Sequence, residues 1–302
     1  MTVQRRPAAE IDVDEALVGA LLTEQHRDLA DLTLRPVGSG WDNVLYRLGG
    51  DLVVRLPRRR AGVDLVLHEQ RWLPGLAPRL PLPVPTPVRI GIPGSGYPWP
   101  WSICRWTEGD SALVSPPADP AATASTLARF LAALHRPAPA DAPPNPYRGV
   151  PLPDCDARVR ERTTALDGMV DGGALLAVWD RLVATPPWPG PTLWIHGDLH
   201  PGNLVIDRGA LAGVIDFGDI TSGDPATDLA VAWMILPGEH RDAFRRAAGR
   251  GDDTDTWARA RGWALNLGLA YLLHSADAPG YGELGLRTLG NVLADGAPGA
   301  VR

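Results

Sequence analysis

Apolar positions along the chain change their spacing from one region to the next. Val44 to Leu48 and Leu52 to Leu56 are two short apolar runs separated by Gly49-Gly50-Asp51, a pattern that predicts a β-hairpin. From there the spacing becomes helical, with Leu65, Trp72, Leu73 and Leu76 on one stripe. Asp119-Pro120 is a helix-start signal, and Leu127, Phe130, Leu131 and Leu134 form a buried face that ends before Pro137. The proline-rich stretch from Pro137 to Pro153 reads as a connecting loop. Residues 155–184 predict one or two helices, Gly223-Asp224-Pro225 opens another, and Trp257 to Leu273 and Glu283 to Leu293 give two more. Three short strands fall among them: Leu193 to Ile195, then Leu204 to Ile206 and Leu211 to Ile215 around the turn Asp207-Arg208-Gly209.

The polar residues flanking these strands carry the chemistry. His196-Gly197-Asp198-Leu199-His200-Pro201-Gly202-Asn203 is followed thirteen positions later by Asp216-Phe217-Gly218-Asp219. Folding the hairpin between them brings Asp198, Asn203 and Asp216 to one end. Phosphoryl transfer needs that set: an acceptor for the nucleophile's proton, and hard oxygen ligands for magnesium on nucleotide phosphates. A polar loop with a helix-capping aspartate accounts for one carboxylate, not for the ordered set.

The run resembles the His-x-Asp-x-x-x-x-Asn catalytic loop of protein-kinase-like enzymes, with Asp216-Phe217-Gly218 as their metal-binding motif. Gly197 and the ending Pro201-Gly202-Asn203 make it more similar to the aminoglycoside phosphotransferase family, over about Val37 to Leu236. The resemblance implies a bilobal, protein-kinase-like α+β fold with a small antiparallel β-rich N-lobe and a larger helical C-lobe. Residues 1–106 would form the nucleotide-binding lobe and 107–302 the catalytic and substrate-binding lobe. It implies transfer of the γ-phosphoryl group of ATP or GTP to a hydroxyl of an aminoglycoside-like antibiotic or related metabolite, giving antibiotic resistance by O-phosphorylation. Asp198 would be the base or orienting group, and Asn203 and Asp216 would hold Mg2+. His196 would be structural. His200 has two readings, charge stabilisation beside the transferred phosphate or a hydrogen-bonded loop histidine. Asp228, in the first turn of the helix after Pro225, would accept catalytic-loop amides, sit favourably at the helix's positive end, or do both.

The N-terminal half offers the nucleotide side of the same resemblance. Gly38-Ser39-Gly40, within Val37 to Asn43, is a flexible loop of the kind that covers a triphosphate, although such loops also occur in ordinary turns. Arg55 interrupts the second hairpin strand where the family usually has lysine. The chain contains no lysine, so all 29 basic residues are arginine, and a guanidinium can pair with phosphate and carboxylate alike. Glu69 lies on the apolar stripe of the following helix, where a carboxylate needs a partner; Arg55 is the obvious one, and reaching solvent at the stripe's edge is the alternative. Ser102 to Gly109 reads as a last strand running into a hinge. The backbones of Arg105 and Thr107 would there meet the purine edge, or the segment is a plain strand exit.

Composition narrows the partners. The 302 residues suffice for two lobes, and 45% hydrophobic with 21% charged content is that of a globular protein. No run of eighteen apolar residues predicts a transmembrane span, and Met1 to Asp14 lacks a signal peptide's apolar core. Two cysteines are too few for a disulfide framework, which points to a reduced, cytoplasmic protein. The net charge of −6 argues against nucleic acid and mildly favours a cationic substrate. Asp252, Asp253, Asp255, Asp277 and Glu283 either bind substrate ammonium groups or serve as a solvated loop and helix caps. Macrolides, peptide or nucleoside antibiotics, amino alcohols and sugars are alternative acceptors for the scaffold. A catalytically silent nucleotide-binding sensor is the reading from another class, disfavoured by the complete set Glu69, Asp198, Asn203 and Asp216. A protein kinase is disfavoured by the lack of an Ala-Pro-Glu-like segment after Asp216.

Overall fold

The computed structural model describes residues 3–295; Met1, Thr2 and 296–302, the outer ends of the lobe ranges above, lie outside it. The described chain falls into two compact units. One comprises Pro7–Glu108 together with Gly213–Ile220, and the other holds Gly109–Ala212, the residues from Thr221 onward and those before Pro7.

The first unit is built on an antiparallel sheet. Helix α1 (Glu15–Gln25) is capped by Asp14, whose side chain accepts from the Leu17 amide, and it buries Val18, Leu21 and Leu22. The strands are β1 (Leu34–Ser39), β2 (Asn43–Leu48) and β3 (Leu52–Pro57) before helix α2 (Val63–Leu76), then β4 (Pro87–Gly91) and β5 (Trp101–Arg105) after it. Their order is β1-β2-β3-β5-β4. The β2–β3 hairpin pairs Val44 with Leu56 and Leu48 with Leu52, as the two apolar runs predict. Helix α2 buries Val63, Val66, Glu69, Leu73 and Leu76. Its inner face is therefore turned slightly from the sequence stripe, with Val66 inside and Leu65 and Trp72 at the margins, but Glu69 lies on it in both. The segment Gly213–Ile220 joins this unit through named contacts. The Val214 amide donates to the Pro83 carbonyl at 3.1 Å, and the Phe217 amide to Glu69 at 2.9 Å.

The second unit is mainly helical. It contains β6 (Asp110–Ser111), α3 (Pro120–Leu134), α4 (Asp156–Ala165), α5 (Gly172–Val183), β7 (Leu193–Ile195), β8 (Leu204–Asp207), β9 (Ala210–Val214, whose last two residues pass into the first unit) and β10 (Thr221–Gly223). Short helices α6 (Ala226–Leu229) and α7 (Ala232–Ile235) follow, then α8 (Gly238–Ala247), α9 (Thr254–Leu273) and α10 (Pro279–Ala294). Asp119 caps α3 by accepting from the amides of Ala121 and Ala122. Helix α9 is the spine: Trp257, Trp263, Leu265 and Leu269 are buried along it, and α10, α6, α5 and α4 pack around it. One sequence expectation changes in form, and one helix is unexpected. The single helix expected after Pro225 is two short ones, and α8, whose only buried residues are Arg241 and Phe244, carries too little apolar pattern to be predicted. Among the described residues no helix is long and apolar enough to cross a membrane.

Candidate active site

In the first unit the chemistry gathers on β3, α2 and Gly213–Ile220. Arg55 and Glu69 are 6% and 2% exposed, and Arg55 Nη1 donates to Glu69 Oε1 at 2.9 Å. Burying a lone charge would be prohibitive; the pair makes it tolerable. Glu69 Oε1 also accepts the Phe217 backbone N–H at 2.9 Å, while Arg55 Nη2 lies 3.5 Å from Asp216 Oδ1. One guanidinium thus spans two carboxylates, which its fork geometry permits. Burial works against the charged guanidinium, but Glu69, the neighbouring Cys104 and Asp216 together hold its pKa above the ordinary value. Burial pushes the Cys104 thiol up to about 12, so it stays protonated beside the pair. Asp216 takes the left-handed φ of +62°, and its side chain is 55% exposed. Phe217 is fully buried beside it, so the ring anchors the turn and the carboxylate projects from it.

Gly38 and Ser39, expected in a flexible loop, end strand β1 and pair with Leu45 and Val44; the turn proper starts at Gly40, whose amide donates to the Asn43 carbonyl at 2.8 Å. Gly38 has a φ of +148°. Asp42, at the loop's end, pairs with Arg59; burial, partly offset by Arg59, raises its carboxyl pKa, and Asp216 and Asp219 add to the rise. Arg105 ends β5 opposite Leu52, and its exposed guanidinium reaches Asp51 at 3.2 Å. Trp106, between Arg105 and Thr107, donates its amide to the Asp51 carbonyl at 2.8 Å.

In the second unit the loop from His196 to Asn203 leaves the buried strand β7. Gly197 takes a φ of +86°, a conformation that favours glycine, and the loop is held from beneath. Asp228, fully buried, accepts the amide of His196 at 2.8 Å and that of Gly197 at 2.9 Å. His135 Nε2 lies 3.0 Å from Asp228 Oδ2. The Asp198 amide donates to His196 Nδ1 at 3.2 Å, and the Gly202 amide to His200 Nδ1 at 3.0 Å. Both rings accept at Nδ1, so Nε2 carries the proton in each neutral ring. In His200 that nitrogen lies 3.5 Å from Asp198 Oδ2. The other carboxylate oxygen, Oδ1, accepts from Arg148 Nη2 at 2.9 Å. Burial alone would raise the Asp198 carboxyl; Arg148, His200 and His196 outweigh it and hold it well below the usual carboxylate range.

Asn203 donates from Nδ2 to the Asp198 carbonyl at 2.9 Å, which fixes the amide and leaves Oδ1 as its acceptor. Taken each in its own unit, Asp216 presents an exposed carboxylate and Asn203 an oriented amide oxygen, and each is an oxygen donor of the type hard divalent cations take. Among the described residues no three His, Cys, Asp or Glu side chains form a metal cage.

Of the candidates read from sequence, Arg55, Glu69 and Asp216 are brought together in one unit, and Asp198 and Asn203 in the other. The glycine loop, Arg105 and Thr107 belong to the same first unit as that trio. Sequence reasoning missed Arg148 and His135. Arg148 stands in a proline-rich loop with no periodicity, and His135 follows the last turn of α3; neither position has a signal of its own.

The phosphotransferase enzyme family model matches residues 33–263. An aminoglycoside 3'-phosphotransferase of Escherichia coli is 30% identical over 113 residues, covering 36% of this chain and 42% of that enzyme. An uncharacterized protein of Bacillus subtilis is 31% identical over 36% of this chain and 39% of its own length. The chain therefore matches about two-fifths of these curated relatives. Among solved structures, the GDP complex of aminoglycoside 2'-phosphotransferase-IIIa aligns with a TM-score of 0.67 at 20% identity, over 94% of this chain and 100% of that one. A macrolide 2'-phosphotransferase of Brachybacterium faecium aligns with a TM-score of 0.58 at 20% identity, over 91% and 98%. At this identity the likeness concerns the fold, which is kinase-like.

Proposed function

The chain belongs to the phosphotransferase enzyme family, and from that premise we propose that it is a small-molecule kinase, transferring the γ-phosphoryl group of ATP or GTP to an alcohol. The observation that carries this reading is the double use of Glu69 Oε1, which holds Arg55 and the Phe217 amide at once. That arrangement links the cation expected at the phosphates to the turn that presents Asp216. The first unit would serve as the nucleotide-binding lobe. Gly38, Ser39 and Gly40 would cover the phosphates, Arg55 would neutralise them, and the Arg105 and Thr107 backbone would meet the base.

The second unit would serve acceptor and chemistry. Asp198 orients the acceptor hydroxyl, and its depressed pKa suits an orienting acceptor better than a strong base. That matches a loose phosphoryl-transfer transition state, in which positioning and electrostatics contribute most. Asn203 and Asp216 would hold Mg2+, whose positive charge would offset that of the phosphates. Aminoglycoside-like antibiotics, with resistance as the outcome, are the acceptors that the relatives' names bring to this chain, and macrolides are the second class. A cytoplasmic location goes with this reading.

The test is transfer from ATP and, separately, GTP across aminoglycosides, macrolides, other hydroxylated antibiotics, amino alcohols and hydroxy acids, with products read by mass spectrometry. A product heavier by one phosphate, absent with Asp198→Ala, is expected. Tight nucleotide binding without transfer to any acceptor would favour the silent sensor instead.

A further inference from the structure

The side chain that pairs with Asp198 is a guanidinium, that of Arg148, and two more arginines stand on the neighbouring helix. Helix α4 carries Arg158 and Arg162 four residues apart, hence on one face, where like charges repel. Neither pairs with a carboxylate among the described residues. Arg162 Nη1 donates to Asn266 Oδ1 at 2.7 Å, a neutral amide. Arg158 Nη2 donates to Cys155 Sγ at 3.4 Å, and its guanidinium stands 5.2 Å from the ring of the exposed Tyr147. Arg148 is the third member, and its carboxylate partner is Asp198 itself. Tyr147 directly precedes Arg148, so the contact of Arg158 with its ring brings α4 alongside the Arg148 loop; in keeping with that, burial lowers the Arg162 pKa, and Arg148 and Arg158 lower it further. Glu161 on the same helix offsets them only in part. His274 adds no carboxylate; burial and Arg162 lower its pKa and favour the neutral ring.

Arg148 is fixed in place by its neighbour. Gly149 has a φ of +69°, and a Cβ there would stand 2.8 Å from Ile195 Cδ1 and 3.1 Å from Gly223 Cα. Its amide donates to Thr227 Oγ1 at 3.1 Å, and its carbonyl accepts from the Asp224 amide at 3.0 Å. The loop is thus pinned to β7, β10 and α6. Of the five acids that the sequence offers to an ammonium group, Asp252, Asp255 and Glu283 are exposed, and two are engaged elsewhere. Asp253 caps α9 through the Thr256 amide and hydroxyl, and Asp277 takes the Arg6 amide and guanidinium.

We infer that the acceptor carries an anionic group, a carboxylate or phosphate, close to the hydroxyl that Asp198 orients, and that Arg148 and Arg162, with Arg158 beside them, receive it. Guanidinium forks recognise both oxyanions bidentately. The inference rests on the kinase reading and narrows its acceptor by charge, away from the polycationic aminoglycosides.

The test compares three acceptor sets with the full chain and ATP or GTP: hydroxy acids such as glycerate and gluconate, sugar phosphates such as glycerol 3-phosphate, and aminoglycosides such as kanamycin. The first two arms tell carboxylate from phosphate. Arg158→Glu and Arg162→Glu are the informative variants, because neither residue touches Asp198. We expect transfer to an anionic acceptor at roughly tenfold or more higher kcat/KM than to kanamycin. Each reversal should cut that preference by on the order of tenfold, mainly through KM. Calorimetric titration with glycerate, glycerol 3-phosphate and kanamycin in the presence of ADP reads binding apart from turnover; an anion should bind more tightly, and lose that advantage in Arg162→Glu. Kanamycin binding or reacting better than both anions, or anion kinetics and binding unmoved by both reversals, overturns the inference while the kinase stands. Failure to bind or turn over either nucleotide overturns the kinase reading, and this inference with it.

Discussion

Glu69 and Phe217 lie 148 residues apart, yet the Phe217 backbone N–H donates at 2.9 Å to the same Glu69 oxygen that holds Arg55. A single carboxylate therefore links α2, β3 and the turn bearing Asp216. Glu69→Ala leaves a buried guanidinium whose remaining carboxylate among the described residues is Asp216 at 3.5 Å, and it removes the carboxylate that accepts the Phe217 amide. Loss of one partner of such a pair costs about 3–5 kcal/mol. We expect that loss in urea denaturation, with weakened nucleotide binding. Glu69→Gln keeps an acceptor for Phe217 and should be milder. A change in Glu69→Ala below about 1 kcal/mol, the range of an exposed ion pair, would show that the pair does not organise the unit.

Arg55 departs from the family's usual lysine, and the structure shows what the fork adds. Nη1 serves Glu69 while Nη2 stands near Asp216. A lysine ammonium can take the first partner but not span both with the same planar geometry. Arg55→Lys should keep transfer within roughly tenfold and raise the nucleotide KM, whereas Arg55→Met should lose transfer by on the order of 100-fold or more. Steady-state kinetics with varied ATP and GTP distinguish these outcomes; an Arg55→Met enzyme as active as the parent would remove Arg55 from the phosphate site.

What was legible in the sequence follows a physical division. The β2–β3 hairpin, α3 and its Asp119 cap, and the burial of Glu69 all come from local patterns: apolar runs, a capping aspartate, a carboxylate on an apolar stripe. The Asp228 contacts with the His196 and Gly197 amides likewise match the first reading of that residue, and its place in the first turn of α6 matches the second. Arg148 could not be read, because its meaning depends on Gly149 fitting against Ile195 and Gly223, contacts set by tertiary packing. The same holds for Asp224. Sequence alone reads it as a cap, yet besides accepting from the Ala226 amide it pairs with the buried Arg259 at 2.6 Å.

Asp228 accepts the amides of His196 and Gly197, so it holds the loop that bears Asp198 without being the group proposed to meet the acceptor. Asp228→Ala removes the acceptors of two buried amides, each worth about 1–3 kcal/mol when left unsatisfied, and leaves His135 without its carboxylate. We expect a fall in urea midpoint together with a large loss of kcat. His135→Ala leaves both amide bonds in place and should lower stability less, with kcat reduced by less than Asp228→Ala does. Equal effects of the two substitutions would mean that the histidine, not the amides, fixes the loop.

The pairing of Arg148 with Asp198 makes a pH prediction whose sign is fixed. The folded-state pKa of Asp198 is depressed: burial raises it, but Arg148, His200 and His196 outweigh burial. The stability that Asp198 contributes is therefore present above its unfolded pKa of about 3.9 and is lost as pH falls through the lower folded value. Across about pH 5 to pH 8 the carboxylate stays ionised, so kcat/KM should show no acid limb from Asp198 in that window. Arg148→Met removes the first of the opposing charges and leaves burial in place. The folded pKa should then rise, and an acid limb should move upward into or toward the window. Since a merely structural loss would scale activity at every pH without moving the limb, the pH–rate profile of Arg148→Met beside the parent decides the matter. An unmoved limb would mean that Arg148 does not set the charge state of Asp198.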